Sequence, residues 1–196
     1  MSHYFTNDKV KSNEKIINVK IKDINLNLTV DNGVFSKKGL DFGTRTLLES
    51  IDAEKIKGDI LDFGCGYGPI GIYLAKKTNQ KIDMVDINER ALNLSRKNAK
   101  LNKVDVNIYQ TNVYSNIDKK YDYIITNPPI RVGKKILYEI LFESLKHLKE
   151  KGKIFLVINK NGGAKTLLKD LNEKYDAKVL NKNKGFYIIE AQNRWQ

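Results

Sequence analysis

The sequence holds one cysteine, Cys65, two histidines, His3 and His147, and only three prolines. A lone thiol cannot close an internal disulfide, and two histidines beside it do not make a common zinc site, so no metal is expected. No apolar run approaches the ~18 residues of a membrane span. Residues 1–14 are polar and lack the apolar stretch of a signal peptide, so the chain is expected in the cytoplasm and away from membranes. Internal repeats and low-complexity segments are absent too. The prolines fall in two places, Pro69 and the pair Pro128-Pro129.

What is present is cationic. Lys and Arg number 35 against 23 Asp and Glu, a net charge of +12. Such an excess favours a polyanion through counterion release, with nucleic acid the natural partner; a lysine-rich solvated surface is the bland alternative. The 196 residues, 41% hydrophobic and 30% charged, suit one globular domain. Its expected parts are a loose tail (1–13), a hairpin (14–32) and a core (33–192).

Ile17, Val19 and Ile21, then Ile24, Leu26, Leu28 and Val30, alternate with polar residues as half-buried antiparallel strands do, which predicts the small N-terminal β-hairpin. Asp31-Asn32-Gly33 is turn chemistry, and the loop beyond it carries Phe35, read either as a core plug or as a base-stacking aromatic. A short helix is expected over 42–50. Strands over 60–63, 82–85, 104–109, 121–126 and 154–158 then alternate with helices over 69–77, 88–101, 134–150 and 163–174. That order predicts an α/β fold with a doubly wound, mainly parallel sheet. In 134–150, Ile136, Leu137, Ile140, Leu141, Leu145 and Leu148 share one helical face. Residues 177–180 and 186–191 are strand-like but joined by a turn too short for a helical crossover, so an antiparallel C-terminal hairpin closes the sheet.

Residues 60–69, Ile-Leu-Asp-Phe-Gly-Cys-Gly-Tyr-Gly-Pro, read as a buried strand, a glycine turn and a helix opening on Pro69. Gly64, Gly66 and Gly68 allow close backbone approach by a ligand at the carboxyl ends of the strands. The dinucleotide fingerprint would need glycine where Pro69 stands, so the spacing is G-x-G-x-G. Asp62 precedes the turn. Asp86, ending the second strand of the alternating series, is placed to accept both hydroxyl protons of a ribose.

Asp62, the three glycines, Asp86 and the closing hairpin resemble the class I S-adenosylmethionine-dependent methyltransferases. The resemblance implies a seven-stranded Rossmann-like methyltransferase sheet and S-adenosylmethionine as cofactor. It sets Asp62 and Gly64 at the amino-acid end of the cofactor, Gly66 at a close approach and Asp86 on the ribose. It also sets Asn112 at the adenine amino group, and Ile87 and Val113 on the adenine faces. Cys65, within the turn, is read as a small buried residue lining the cofactor and not as a nucleophile.

The second landmark is Asn127-Pro128-Pro129-Ile130, expected at the carboxyl end of the 121–126 strand beside the glycine turn, with Asn127 next to the reactive methyl and so among the expected cofactor contacts as well as the catalytic residues. The prolines stiffen the loop and aim its carbonyls. The Asn127 amide oxygen and a rigid carbonyl would accept from one NH2 group and hold its nitrogen in line with a methyl donor. The four residues resemble the Asn-Pro-Pro-aromatic motif of methyltransferases acting on exocyclic or amide nitrogens. Here Ile130 replaces the aromatic, leaving Phe35 or Arg131 as substitutes for substrate stacking. The wider pattern, with Gly33-Val34-Phe35-Ser36, Asp41, Gly43, Thr44, Arg131 and Lys134, resembles single-domain relatives of the ribosomal RNA small-subunit methyltransferase C family. That likeness implies methylation of guanine N2 in ribosomal RNA. Arg131, Lys134 and Lys135 are candidate phosphate contacts, or else a solvated helix start. A protein glutamine methyltransferase and a noncatalytic RNA-binding module of the same fold are the alternatives.

Overall fold

The computed structural model describes residues 11–32, 39–129 and 133–194. The chain forms a seven-stranded α/β sheet with an antiparallel C-terminal pair and a separate N-terminal hairpin. Phe35, Ile130 and Arg131, three of the expected substrate contacts, lie outside the described residues.

Strands β1 (Lys15–Ile21) and β2 (Ile24–Val30) pair antiparallel from Lys15↔Val30 to Ile21↔Ile24. Their alternation buries Val19, Ile21, Leu26, Leu28 and Val30. Helix α1 (Phe42–Ser50) follows, then a single 3-10 turn (Ala53–Lys55). The core alternates thereafter: β3 (Ile60–Phe63), α2 (Pro69–Thr78), β4 (Ile82–Asp86), α3 (Glu89–Asn102), β5 (Val106–Gln110) and β6 (Tyr121–Thr126). Next come α4 (Lys134–His147), β7 (Leu148–Asn159), a 3-10 turn (Lys160–Gly162), α5 (Ala164–Leu171), β8 (Tyr175–Asn183) and β9 (Phe186–Asn193).

The strand order is β5-β4-β3-β6-β7-β9-β8, parallel up to β7 and antiparallel for the last two pairings. Helices α1 to α3 and the N-terminal hairpin cover one face, over a core that includes Leu26, Leu47, Ile72, Leu74 and Leu92. Helices α4 and α5 cover the other, over Leu61, Ile124, Leu141, Leu156 and Leu167. Most of these side chains are wholly inaccessible, so truncating any leucine among them to alanine would cost about 2–5 kcal/mol.

Several boundaries differ from the periodicity: α5 ends at Leu171 and not at 174, β7 runs Leu148–Asn159 where 154–158 was expected, and β8 runs Tyr175–Asn183 where 177–180 was expected. The 134–150 pattern runs past the helix: α4 stops at His147, and Leu148, although apolar and in phase, opens β7 opposite Tyr121. Just beyond, Lys151 adopts φ +62° and Gly152 passes so near the Lys149 and Tyr121 carbonyls that a Cβ would lie within 3.0 Å of both. The strand predicted from 104 starts at Val106. Lys103 caps α3 in the left-handed region, and the Val104 N–H still donates to Ala99 O.

The hairpin is fixed to the core by amides as well as apolar contact. Asn102 accepts from Asn27 N at 3.1 Å and donates to Asn27 O at 2.7 Å. One turn earlier Asn98 does the same with Thr29, at 2.6 and 2.9 Å. Two side chains four residues apart on α3 therefore satisfy the β2 edge as a neighbouring strand would.

Candidate functional site

Three adjacent strands, β4, β3 and β6, deliver Asp86, the glycine turn and Asn127 to one end of the sheet. Thr126 Oγ1 donates to Phe63 O at 2.8 Å and locks the ends of β6 and β3 together. The turn that follows β3 needs three left-handed glycines, at φ +69° for Gly64, +56° for Gly66 and +96° for Gly68. They do different work. A Cβ built on Gly64 or Gly66 meets nothing within 4 Å, whereas one on Gly68 would sit 2.7 Å from Ser95 Oγ and 2.9 Å from Ile72 Cδ1. The first two glycines face open space and the third is a packing requirement.

The turn is held from behind. Cys65 N donates to Val85 O, Ser95 Oγ donates to Gly66 O at 3.0 Å, and Asn98 Nδ2 donates to Tyr67 O at 2.8 Å. Asp86 joins from β4: its Oδ2 accepts from Gly66 N at 2.8 Å and its Oδ1 from Asn88 N at 2.9 Å. Burial pushes the Asp86 carboxyl up, against the pull of these N–H groups. Cys65 is buried, and burial raises its thiol well above the usual range, with Asp62 and Asp86 adding to the effect. It has the character of a packed, un-ionised side chain.

Asp62 lies beneath the turn and is fully buried. Its Oδ2 accepts from Gly71 N at 2.8 Å, one of the unpaired donors in the first turn of α2. Its Oδ1 has no partner among the described residues. Burial, with the charge of Asp86 and against the Gly71 N–H, pushes the Asp62 carboxyl up to about 7. Ile87 is half-buried and accepts from Gln110 Nε2 at 2.8 Å. Asn112 is exposed in the turn after β5, and Val113 beside it holds φ +53°. Both sit at the end of the strand paired to β4, because Asp86 is in register with Gln110.

Asn127 is half-buried, with Pro128 buried and Pro129 half-buried after it. Its Nδ2 donates to Asp41 Oδ2 at 3.1 Å and to Thr44 Oγ1 at 2.9 Å. Asp41 also caps α1, accepting from Thr44 N at 2.9 Å. Both amide protons are thus engaged. In the sequence Asp41 and Thr44 stand out only as part of the wider family pattern. Their capping spacing is visible there, but their bonds to Asn127, more than eighty residues away, are not. Ser95 and Asn98 give no signal beyond being polar on a buried helix face.

Open space above two left-handed glycines, a carboxylate at the end of the next strand and an asparagine on the other side are the parts of a class I S-adenosylmethionine-dependent methyltransferase. The donor set suits that cofactor. Asp86 has lone pairs for a ribose diol, Gly64 and Gly66 admit a bulky ligand against the backbone, and the buried carboxyl of Asp62 lies below. The methyltransferase small domain family matches residues 25–190, and the chain belongs to that family.

Full-length similarity is to the uncharacterized protein YbxB of Bacillus subtilis, 43% identical over 98% of this chain and 99% of that one. A ribosomal RNA small subunit methyltransferase C of Psychromonas ingrahamii is 40% identical over 65% of this chain but 38% of its own length. Among solved structures, a 16S rRNA N2 G1207 methyltransferase of T. thermophilus, in complex with AdoMet and guanosine, superposes with TM-score 0.82 at 23% identity. That match covers 92% of this chain and 51% of the other. The chain thus spans about half or less of these ribosomal RNA methyltransferases. S-adenosylmethionine is its cofactor and methyl transfer its chemistry.

Proposed function

We propose that the chain methylates an exocyclic base nitrogen of RNA, most specifically N2 of guanine in ribosomal RNA. The observation that carries the reading is the orientation of the Asn127 amide. Asp41 Oδ2 and Thr44 Oγ1 take its two protons, and no described residue donates to its Oδ1. An acceptor oxygen so presented selects a substrate with an N–H to give. An aromatic NH2 group meets that need, and the buried Pro128 stiffens the loop that holds it.

When bound, S-adenosylmethionine supplies an electrophilic methyl group. Asn127 Oδ1 holds the amine in line and gains strength as the nitrogen becomes tetrahedral and positively charged. The charged nitrogen is acidic enough to lose its proton to solvent, so Asn127 need not be a base. In this reading Asp86, Gly64, Gly66, Cys65, Ile87, Asn112 and Val113 line the cofactor, with Asp62 beneath them. Asn127, Pro128 and Pro129 form the reacting loop, and Phe35, Ile130 and Arg131 contact the base.

A glutamine carboxamide would also satisfy Oδ1. The net charge of +12 and the likeness to ribosomal RNA methyltransferases favour the polyanion. The test is transfer of labelled methyl from S-adenosylmethionine to ribosomal RNA purified from cells lacking the protein, followed by nucleoside mass analysis. N2-methylguanosine is the expected product. Normal cofactor binding without label in RNA would overturn the reading.

A further inference from the structure

The C-terminal hairpin does more than close the sheet. Its strands meet in a two-residue turn, Lys184 at φ +44° and Gly185 at φ +82°, between the paired Asn183 and Phe186. Two consecutive left-handed residues make a tight hairpin turn, and Lys160 N, opening the 3-10 turn after β7, donates to Gly185 O at 2.6 Å and pins the tip. The tip lies at the same end of the sheet as Asn127, because β7 runs parallel to β6 with Thr126 opposite Leu156, and Asn159 opposite Phe186.

Lys160, Lys182 and Lys184 are exposed on this tip, and no carboxylate among the described residues pairs with any of them. Some other lysines have acidic partners, for example Lys77 with Asp23 and Glu54, and Lys149 with Asp59 and Asp122, while Lys57, Lys100 and Lys103 elsewhere on the surface have none among the described residues, so position and not pairing sets the tip apart. Two of the tip cations rest on aromatic rings instead: Lys182 Nζ is 4.9 Å from the Tyr187 ring centre and Lys184 Nζ is 5.2 Å from that of Phe42. A ring positions an ammonium without neutralising it, so the charge stays available to an incoming anion. The tip also abuts the start of α1. Phe186 packs against Phe42 with centroids 5.7 Å apart, and Phe42 directly follows Asp41, the residue that holds the Asn127 amide.

We propose that Lys160, Lys182 and Lys184 form a preformed grip for the phosphate backbone of the RNA whose base enters at Asn127. The proposal rests on the RNA reading above and adds where the strand is held. Three cations gathered around one hairpin tip, at the same end of the sheet as Asn127, can take phosphates of the strand whose base enters there. Phosphates held there would deliver a neighbouring unpaired or flipped base to the loop.

The test uses the full chain and a fluorescent single-stranded RNA of mixed sequence. Binding is measured against salt for the wild type, for the triple variant Lys160→Gln, Lys182→Gln, Lys184→Gln, and for a control with the same charge change, Lys57→Gln, Lys100→Gln, Lys103→Gln. The slope of log affinity against log salt should fall by about 2 in the tip variant, at roughly 0.7 per single-strand phosphate contact, with affinity at moderate salt at least roughly tenfold weaker. The control should keep the wild-type slope, and calorimetry should show the same S-adenosylmethionine affinity in all three proteins. Equal slopes for tip variant and control, or an unchanged slope in the tip variant, would overturn the grip while leaving RNA methylation standing. Wild-type protein that binds anionic phospholipid vesicles through these lysines, and no RNA, would overturn both.

Discussion

Asn98 Nδ2 donates to Tyr67 O at 2.8 Å, from a side chain that also accepts from Thr29 N at 2.6 Å and donates to Thr29 O at 2.9 Å. One buried amide thus binds the glycine turn to the N-terminal hairpin across α3. Asn98→Ala would leave Thr29 N and two carbonyls unsatisfied out of water, a cost of roughly 2–4 kcal/mol. Urea unfolding should show it, together with weaker S-adenosylmethionine binding as the turn loosens. An unchanged midpoint would mean that water replaces the amide.

The glycines separate cofactor binding from packing. Gly66→Ala places a methyl in open space at φ +56°, a conformational cost of about 1–2 kcal/mol. It should nevertheless weaken S-adenosylmethionine binding by on the order of tenfold or more, since the cofactor is expected to approach the backbone there. Gly68→Ala meets Ser95, Ile72 and Met84 within 3.0 Å and should lower stability more. Thermal unfolding with and without cofactor checks both. Equal cofactor affinity in Gly66→Ala and wild type would remove the first two glycines from the cofactor site.

Asn127→Ala should lower kcat by about 10²–10³-fold, the usual size for losing a group that stabilises developing charge, with a much smaller loss of cofactor affinity. Asp41→Ala should both loosen α1 by about 1 kcal/mol, through loss of the cap, and reduce kcat as the amide turns. Asp41→Asn keeps an acceptor for Thr44 N and should restore most of the stability, with activity following the fraction of amides correctly turned. If Asp41→Ala altered stability but not kcat, the residue would be a cap alone.

Two carboxyls give stability opposite dependences on pH. Burial would raise Asp31, but Arg90, at 2.7 Å, and donors from Asn13, Ser12 and Asn32 bring it down to about 2. Its contribution is therefore present above the unfolded value near 4 and is lost as pH falls toward 2. Asp62, raised to about 7, keeps its proton in the native state while the unfolded chain has released it, so stability falls as pH rises from about 4 to 7. Urea midpoints across pH 2–8 should show both limbs. Asp62→Asn should make the upper limb shallower, the remainder coming from Asp86, which burial also raises, and should leave the acid limb unchanged. A parallel upper limb in the variant would assign that dependence to other groups.

The local pattern of apolar and turn residues carried much of this protein. Alternation in 17–30, the βα rhythm from Ile60 and the short link before Phe186 correspond to the observed hairpin, mixed sheet and antiparallel closing pair, because strand and helix periodicity and turn length are set by near neighbours. The motifs likewise pointed to the methyltransferase class and its cofactor, since Gly64, Gly66 and Asp86 are tied to strand ends by short spacings. The end of α4 was misplaced, because Leu148 fits the helical period and only its pairing with Tyr121 across the sheet draws it into β7. The tertiary structure alone decided which groups take the Asn127 amide protons. These are Asp41 and Thr44, which reach it through the packing of α1 on the sheet and are distant along the chain. Likewise, lysines scattered from Lys160 to Lys184 become one cationic tip only when β7 and the C-terminal hairpin pair. Charge and capping chemistry are written locally, but which groups share a site is set by long-range burial and hydrogen bonding.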